Sequence, residues 1–153
     1  MKGKINITNK KARFEYDILD RYNAGIVLTG SEIKSIRLGK ASIAESFCEF
    51  NEAIELFVVN MTIENYSFSS SFKPLPKSTR KLLLNKKELL KLNKNVKNSG
   101  LTIIPLKLYL NDKGLAKIEI ALAKGKKLYD KRQTLVDRDN KRNLDRIKKE
   151  NKN

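Results

Sequence analysis

Histidine is absent from the 153 residues. That excludes Ser-His-Asp and Cys-His nucleophile systems, histidine-ligated zinc and imidazole acid–base catalysis. Cysteine occurs once, as Cys48. No intramolecular disulfide and no cysteine-cluster metal site is therefore expected, and a reducing compartment, the cytoplasm, is the simple reading. Apolar runs stay short of the roughly 18 residues of a membrane-spanning helix. Residues 1–6 are basic with no apolar run behind them, so neither a secretory leader nor a membrane partner is expected. Negative charge is scarce: 17 Asp and Glu stand against 33 Lys and Arg, a formal +16. A surplus of that size repels itself, and a polyanion offsets it. Nucleic acid is the partner class this implies.

The charge is uneven. Residues 124–153 carry 12 Lys/Arg and 5 Asp/Glu, a net +7 in 30 residues, against +9 over residues 1–123. Apolar residues are too sparse there to bury a helix face against a domain. Asp137 with Lys141, and Asp145 with Lys149, are spaced i,i+4 in the favourable acid-first order. Two units are expected: a barrel over residues 1–123, and a basic tail over 124–153 that is disordered when free and folds on an anionic surface.

The body reads as mainly β. Phe14, Tyr16 and Ile18 alternate with Glu15 and Asp17 as a half-buried strand. Residues 25–28 form a second apolar run. Thr29-Gly30-Ser31-Glu32 has the form of a capping box, and Gly39 ends the short helix behind it. Lys34, Arg37 and Lys40 can lie on that helix's solvent side. Residues 44–50 and 54–63 look like a strand pair turning at Asn51-Glu52-Ala53, and residues 67–79 like a loop. Asn85 and Glu88 cap a second helix with Leu89, Leu92 and Val96 inward and Gly100 as its stop. Residues 104–110 and 116–122 form a hairpin turning at Asn111-Asp112-Lys113-Gly114, with Pro105 near a strand start, bulge or edge. These elements predict a small six-stranded antiparallel barrel with two or three inserted helices and a basic C-terminal tail. The oligonucleotide-binding (OB-like) type suits the charge.

Several stretches carry chemistry. Asn9-Lys10-Lys11-Ala12-Arg13 packs three cations into four positions, suited to backbone phosphates or to an ordinary basic arm. Arg80-Lys81-Leu82-Leu83-Leu84 sets two cations beside leucines that read as core. Ala123-Lys124-Gly125-Lys126-Lys127-Leu128-Tyr129-Asp130-Lys131-Arg132 is the most pointed. Lysines neutralise phosphate, Gly125 permits close backbone approach, and Tyr129 can stack on an exposed base. It lacks the second glycine and the Lys-Ser/Thr end of a phosphate-binding loop, so nucleotide hydrolysis is not expected. Glu45, Glu49, Glu52 and Glu55 are spaced like surface residues, which disfavours a two-metal nuclease. Cys48, between Phe47 and Phe50, reads as a buried structural thiol. No enzyme activity, cofactor or metal is expected.

Four blocks in register give a resemblance. They are Asn9 to Arg13, Ala24-Gly25-Ile26-Val27-Leu28-Thr29-Gly30-Ser31-Glu32-Ile33-Lys34-Ser35-Ile36-Arg37, Arg80 to Leu84, and Ala123 to Arg132. In order and spacing, across about residues 9–145, the chain resembles the SsrA-binding protein (SmpB) family, the tmRNA partners of bacterial trans-translation. The resemblance implies an OB-like barrel with helices and binding to the tRNA-like domain of tmRNA near its elbow. It also implies delivery of charged tmRNA to stalled ribosomes, for ribosome rescue and peptide tagging. In that family the tail enters the empty mRNA path near the decoding centre and becomes helical. Asn23, Leu82 and Lys117 fall where the family has RNA-binding determinants; members often have Glu at the position of Asn23. Asp130, Lys131 and Arg132 fall on the tail segment needed after ribosome entry, and Tyr129 falls where many members have histidine. The expected RNA contacts are Lys10, Lys11, Arg13, Asn23, Lys34, Arg37, Arg80, Lys81, Leu82, Lys117, Lys124, Lys126 and Lys127. Tyr129, Asp130, Lys131 and Arg132 are expected to engage the ribosome. A monomer is expected. The alternative is a general structural RNA-binding or ribosomal protein module.

Overall fold

The computed structural model describes residues 5–65, 75–97 and 100–126. Within them the chain runs β1 (Asn6–Thr8), α1 (Ala12–Glu15), β2 (Tyr16–Ile26), α2 (Gly30–Arg37), β3 (Ala41–Ser42), β4 (Phe47–Phe50), β5 (Leu56–Val59), β6 (Thr62–Ile63), β7 (Arg80–Leu83), α3 (Lys86–Val96), β8 (Leu101–Leu110) and β9 (Ala116–Gly125). The main sheet has the order β1-β8-β4-β5-β7-β2-β9, and a further β8–β9 pairing closes it. Six strands thus form a ring, β8-β4-β5-β7-β2-β9, with β1 added beside β8; every pairing is antiparallel. The OB-like barrel expected from the pattern is present. β3 and β6 form a separate two-stranded sheet.

The ring's membership differs from the sequence reading. Residues 16–18 and 25–26 of the two expected runs are parts of one long strand, β2, whose middle (Asp20, Arg21, Asn23) is too polar to read as a strand. Its pairing along β9 holds it extended, with a bulge between Ile18 and Asp20. Phe14 belongs to α1: Glu15 N donates to Lys11 O, closing one helical turn before the strand starts. The sixth place is taken by β7, whose cations hid a strand. Pro105 lies inside β8 at the irregularity between Pro105 and Lys107, where a missing N–H is tolerated.

Both capping boxes form. Thr29 Oγ1 accepts from Glu32 N at 3.2 Å, and Glu32 Oε1 accepts from Thr29 N at 3.1 Å. Asn85 and Glu88 do the same at the start of α3, which lays Leu92 into the core with Leu89 and Val96 beside it. The ring encloses Ile36, Leu56, Val58, Met61, Leu82, Leu108, Ile118 and Ile120, all essentially sealed from water. A smaller cluster of Ala12, Ile104, Ala121 and Ala123 seats α1 against β8 and β9. The hairpin turn forms as expected: Asn111 N donates to Leu115 O, and Gly114 takes the left-handed φ of +79° that the turn needs. β9 runs through Lys124 and Gly125, two residues past the expected barrel boundary. The expected tail beyond residue 126, and residues 66–74 of the expected loop, lie outside the described residues.

Candidate nucleic-acid interface

Alternation along the strands decides which side chains leave the barrel. On β7, Arg80 and Leu82 point inward while Lys81 and Leu83 point outward. On β2, Arg21 and Asn23 face solvent ahead of the buried Ala24 and Ile26, and Val27, just past the strand's end, is exposed. Cross-strand register assembles them. Gly25 pairs with Lys117 on one side and Leu83 on the other. Tyr109 stands opposite Lys117, and Lys107 opposite Glu119. Asn6 and Thr8 extend these rows across β1.

The outer face has specific geometry. Tyr109 Oη donates to Asn23 Oδ1 at 3.2 Å, which holds the amide in place. Lys107 Nζ sits 5.0 Å from the centre of the Tyr109 ring, a cation–π distance. At Gly25, a Cβ would meet Leu83 Cβ at 3.3 Å and Lys117 Nζ at 3.7 Å. Glycine there lets an apolar side chain and an ammonium draw together over bare backbone. Leu83 is 52% exposed and Val27 51%, so the patch offers apolar surface beside charge. Arg37 reaches the end of this face: its Nη2 is 3.9 Å from where a Cβ of Gly114 would be. Lys34 is exposed on the same helix.

Two expected contacts lie in the interior of the barrel. Leu82 is 1% exposed and packs in the core. Its neighbour Leu83 is the leucine that meets Gly25 and Lys117, one residue on and on the opposite face. Arg80 is also interior. Its Nε donates to Glu32 Oε2 at 2.6 Å, and Nη1 and Nη2 donate to the carbonyls of Met61, Ser78 and Pro76. A guanidinium so enclosed cannot touch a phosphate; it ties β7 to α2 and the preceding loop. Four residues, two of them cations, do not fix the phase of a strand, so the sequence pattern alone does not turn Arg80 and Leu82 inward. Lys81 is outward and hydrogen-bonds Glu55, whose carboxyl lies below its ordinary range chiefly because of that bond.

Other expected residues gather at the far end of β2. Tyr16 pairs with Gly125 and Asp17 with Lys124, and Lys126 N donates to Glu15 O at 2.9 Å. Lys10 and Lys11 precede α1 at this end, with Lys11 Nζ 3.2 Å from Glu45 Oε1 on the surface. Tyr16 and Gly25 are nine residues apart along one strand, about 30 Å at 3.3 Å per residue. Arg13 lies in α1. Lys127, Tyr129, Asp130, Lys131 and Arg132 fall outside the described residues.

Between the two ends lies a cleft of about 320 Å³, bordered by Thr8, Asn9, Lys10, Arg21, Lys107 and Glu119, with Leu106 as apolar wall. Asn9 frames it: its Nδ2 donates to Pro105 O at 3.0 Å and its N–H to Leu106 O at 2.8 Å. Arg21 Nη1 approaches Glu119 Oε1 at 3.5 Å. Away from this face, burial pushes the Cys48 thiol well up, which makes it an inert core group. Among the described residues no three acidic or cysteine side chains converge as a metal site requires.

Comparison with known proteins points to one family. A sequence model described as "SmpB protein" matches residues 6–150. The chain is 67% identical over 146 residues to an SsrA-binding protein of Flavobacterium psychrophilum, covering 95% of this chain and 97% of the relative. It is 64% identical to an SsrA-binding protein of Christiangramia forsetii, covering 99% and 96%. A solved chain described as "tmRNA-SmpB: a journey to the center of the bacterial ribosome" superposes with a TM-score of 0.68 at 44% identity, covering 81% of this chain and 86% of that one.

Proposed function

The chain belongs to the SmpB protein family, and from that premise we propose that its activity is RNA binding in ribosome rescue. It binds the tRNA-like domain of tmRNA and delivers it to stalled ribosomes for trans-translation. Its partners are tmRNA and the ribosome. The observation that carries this reading is the outward cluster of Asn23, Leu83 and Lys117 around Gly25. A cation for phosphate, an amide and an apolar wedge meet there, as recognition of an irregular RNA surface needs.

The division of labour follows the strand. The Asn23–Lys117 end holds the tRNA-like domain. The opposite end, with Lys10, Lys11, Lys124 and Lys126, launches residues 127–153 toward the decoding centre and mRNA path. There Tyr129, Asp130, Lys131 and Arg132 engage the ribosome. Anchoring by β9 and by Lys126 N on Glu15 supports this, because it fixes where the tail leaves the barrel. The family is one of RNA-binding proteins, and catalysis is not part of the reading. No described helix is long and apolar enough to cross a membrane, and ribosomal partners imply work in the cytoplasm.

The test is a titration at near-physiological salt. The isolated tRNA-like domain of tmRNA competes against an elongator tRNA. A hundredfold preference, about 2.7 kcal/mol, is expected. Equal binding with the same salt dependence would replace this reading with a general ribosomal module.

A further inference from the structure

The cleft beside Asn9 has a chemistry that a phosphate surface alone does not explain. Lys10, Arg21 and Lys107 bring three cations to it. Among them stands the Glu119 carboxylate, with only 21% of its side chain exposed, at a long 3.5 Å from Arg21. The three cations draw an anion, while Glu119, only loosely held by Arg21, accepts from a hydrogen-bond donor. A bare cation would be repelled by the three bases. A ligand that satisfies both carries negative charge at one end and neutral N–H donors at the other. A nucleotide is such a ligand.

The carboxylate narrows the choice of base. An ionised carboxylate only accepts, and its two oxygens suit two adjacent donors. Guanine presents N1–H and N2–H2 side by side on its Watson–Crick edge, which is open in an unpaired strand. Uracil offers one ring N–H between carbonyls, and adenine and cytosine offer one amino group beside a ring acceptor that Glu119 repels. The volume of about 320 Å³ lies at the low end of small-ligand pockets, roughly 300–1,000 Å³, a size that suits one nucleotide. Leu106 gives the base an apolar wall.

We propose that this cleft holds a single unpaired guanine nucleotide of the bound RNA. Glu119 reads the base edge, Lys10 and Lys107 take the flanking phosphates, and Thr8 and Asn9 frame the seat. The assignment rests on the reading of the outer face as an RNA interface and adds a base-specific position to it.

The test uses the full chain and three probes: the pentaribonucleotides UUGUU and UUAUU, and guanosine monophosphate. Amide NMR signals of Thr8, Lys107 and Glu119 are followed. UUGUU should shift them with a Kd at least tenfold below that of UUAUU, about 1.4 kcal/mol, and guanosine monophosphate should act on the same signals more weakly. Glu119→Gln should erase the tenfold preference while leaving phosphate-driven binding. Equal affinity for the two pentamers, or shifts confined to other residues, would overturn the proposal. Guanosine monophosphate binding as tightly as UUGUU would overturn the assignment to RNA in favour of a free nucleotide. Should Glu119→Gln fold poorly, the wild-type pentamer comparison still decides. The elongator-tRNA competition reads the whole RNA interface, so its failure with guanine preference intact removes the tmRNA reading alone. Loss of guanine preference with tmRNA selectivity intact removes only the cleft.

Discussion

Arg80 and Glu32 are 48 residues apart in the chain and 2.6 Å apart in the fold, both almost fully enclosed. Glu32 is used twice: one oxygen completes the capping box of α2, and the other receives Arg80. Removing one partner of such a pair leaves a buried charge uncompensated, at about 3–5 kcal/mol. Glu32→Gln and Arg80→Ala should each cost about that much in urea unfolding. RNA affinity per folded molecule should stay within about threefold, well under 1 kcal/mol. A large affinity loss in folded Arg80→Ala protein would mean that Arg80 does reach RNA.

Leu82 and Leu83 separate stability from recognition. Leu82→Ala opens a cavity in the ring and should destabilise by about 2–5 kcal/mol. Leu83→Ala removes a half-exposed side chain and should change stability by less than about 0.5 kcal/mol. Their effects on RNA should be reversed: Leu83→Ala weakens binding to the tRNA-like domain, and Leu82→Ala binds normally while folded. Paired unfolding and binding curves for the two variants check this. Weakening by Leu82→Ala alone would restore the original assignment.

The two leucines also show how far the sequence could be read. Helix starts were legible because a capping box is local: Thr29 with Glu32, and Asn85 with Glu88, each lie within four residues. The β8–β9 hairpin was legible because its alternation runs long enough to fix its phase. β7 was not, since four residues with two cations carry no phase, and Arg80 is neutralised by a residue in another element. β2 was read as two pieces because its middle is polar on the outer face and is held extended by β9. The basic blocks pointed to RNA correctly as composition. Which cations face outward depended on strand pairing, which the local pattern does not contain.

Lys117 should behave as a phosphate contact. Its ammonium lies 3.7 Å from the position of a Gly25 Cβ and faces outward between Leu83 and Tyr109. Each phosphate neutralised on a duplex contributes about 0.9 to the slope of log K against log salt. Lys117→Ala should lower that slope by about this amount and weaken binding most at low salt. An unchanged slope with weaker binding would assign Lys117 to base or shape contact.

Tyr22 gives the protein an alkaline limit. Burial, with help from its hydrogen bond to Asp20, pushes the phenol up to about 12. A group whose pKa is raised on folding favours the fold fully below its ordinary value near 10, and that contribution disappears as pH rises through the folded value. The melting temperature should therefore fall between pH 10 and about 12. Asp20 acts in the opposite sense: the Tyr22 hydroxyl, first among its causes, lowers its pKa below 3.8, so its contribution is lost as pH drops beneath that. Tyr22→Phe should flatten the Tyr22 part of the alkaline limb and bring Asp20 back toward its ordinary range. Ultraviolet titration showing no tyrosine delayed beyond the ordinary range would remove this account.

Truncation after Lys126 tests the two-ended arrangement as a whole. The cut keeps the last β2–β9 pair, Tyr16 with Gly125, and the bond from Lys126 N to Glu15 O. It also spares Ala123, Ala121, Ile104 and Ala12, the small cluster that seats α1. The melting temperature should therefore hold. Affinity for the isolated tRNA-like domain should remain within about threefold, under 1 kcal/mol, because Asn23, Leu83 and Lys117 lie about 30 Å up the strand from the cut. Peptide tagging on stalled ribosomes should disappear, since residues 127–153 carry the proposed contacts with the mRNA path. Tagging that persists would place the ribosome contact on the barrel. A hundredfold loss of RNA affinity, about 2.7 kcal/mol, would show that the tail also grips the tRNA-like domain, and the strand would no longer separate two functions.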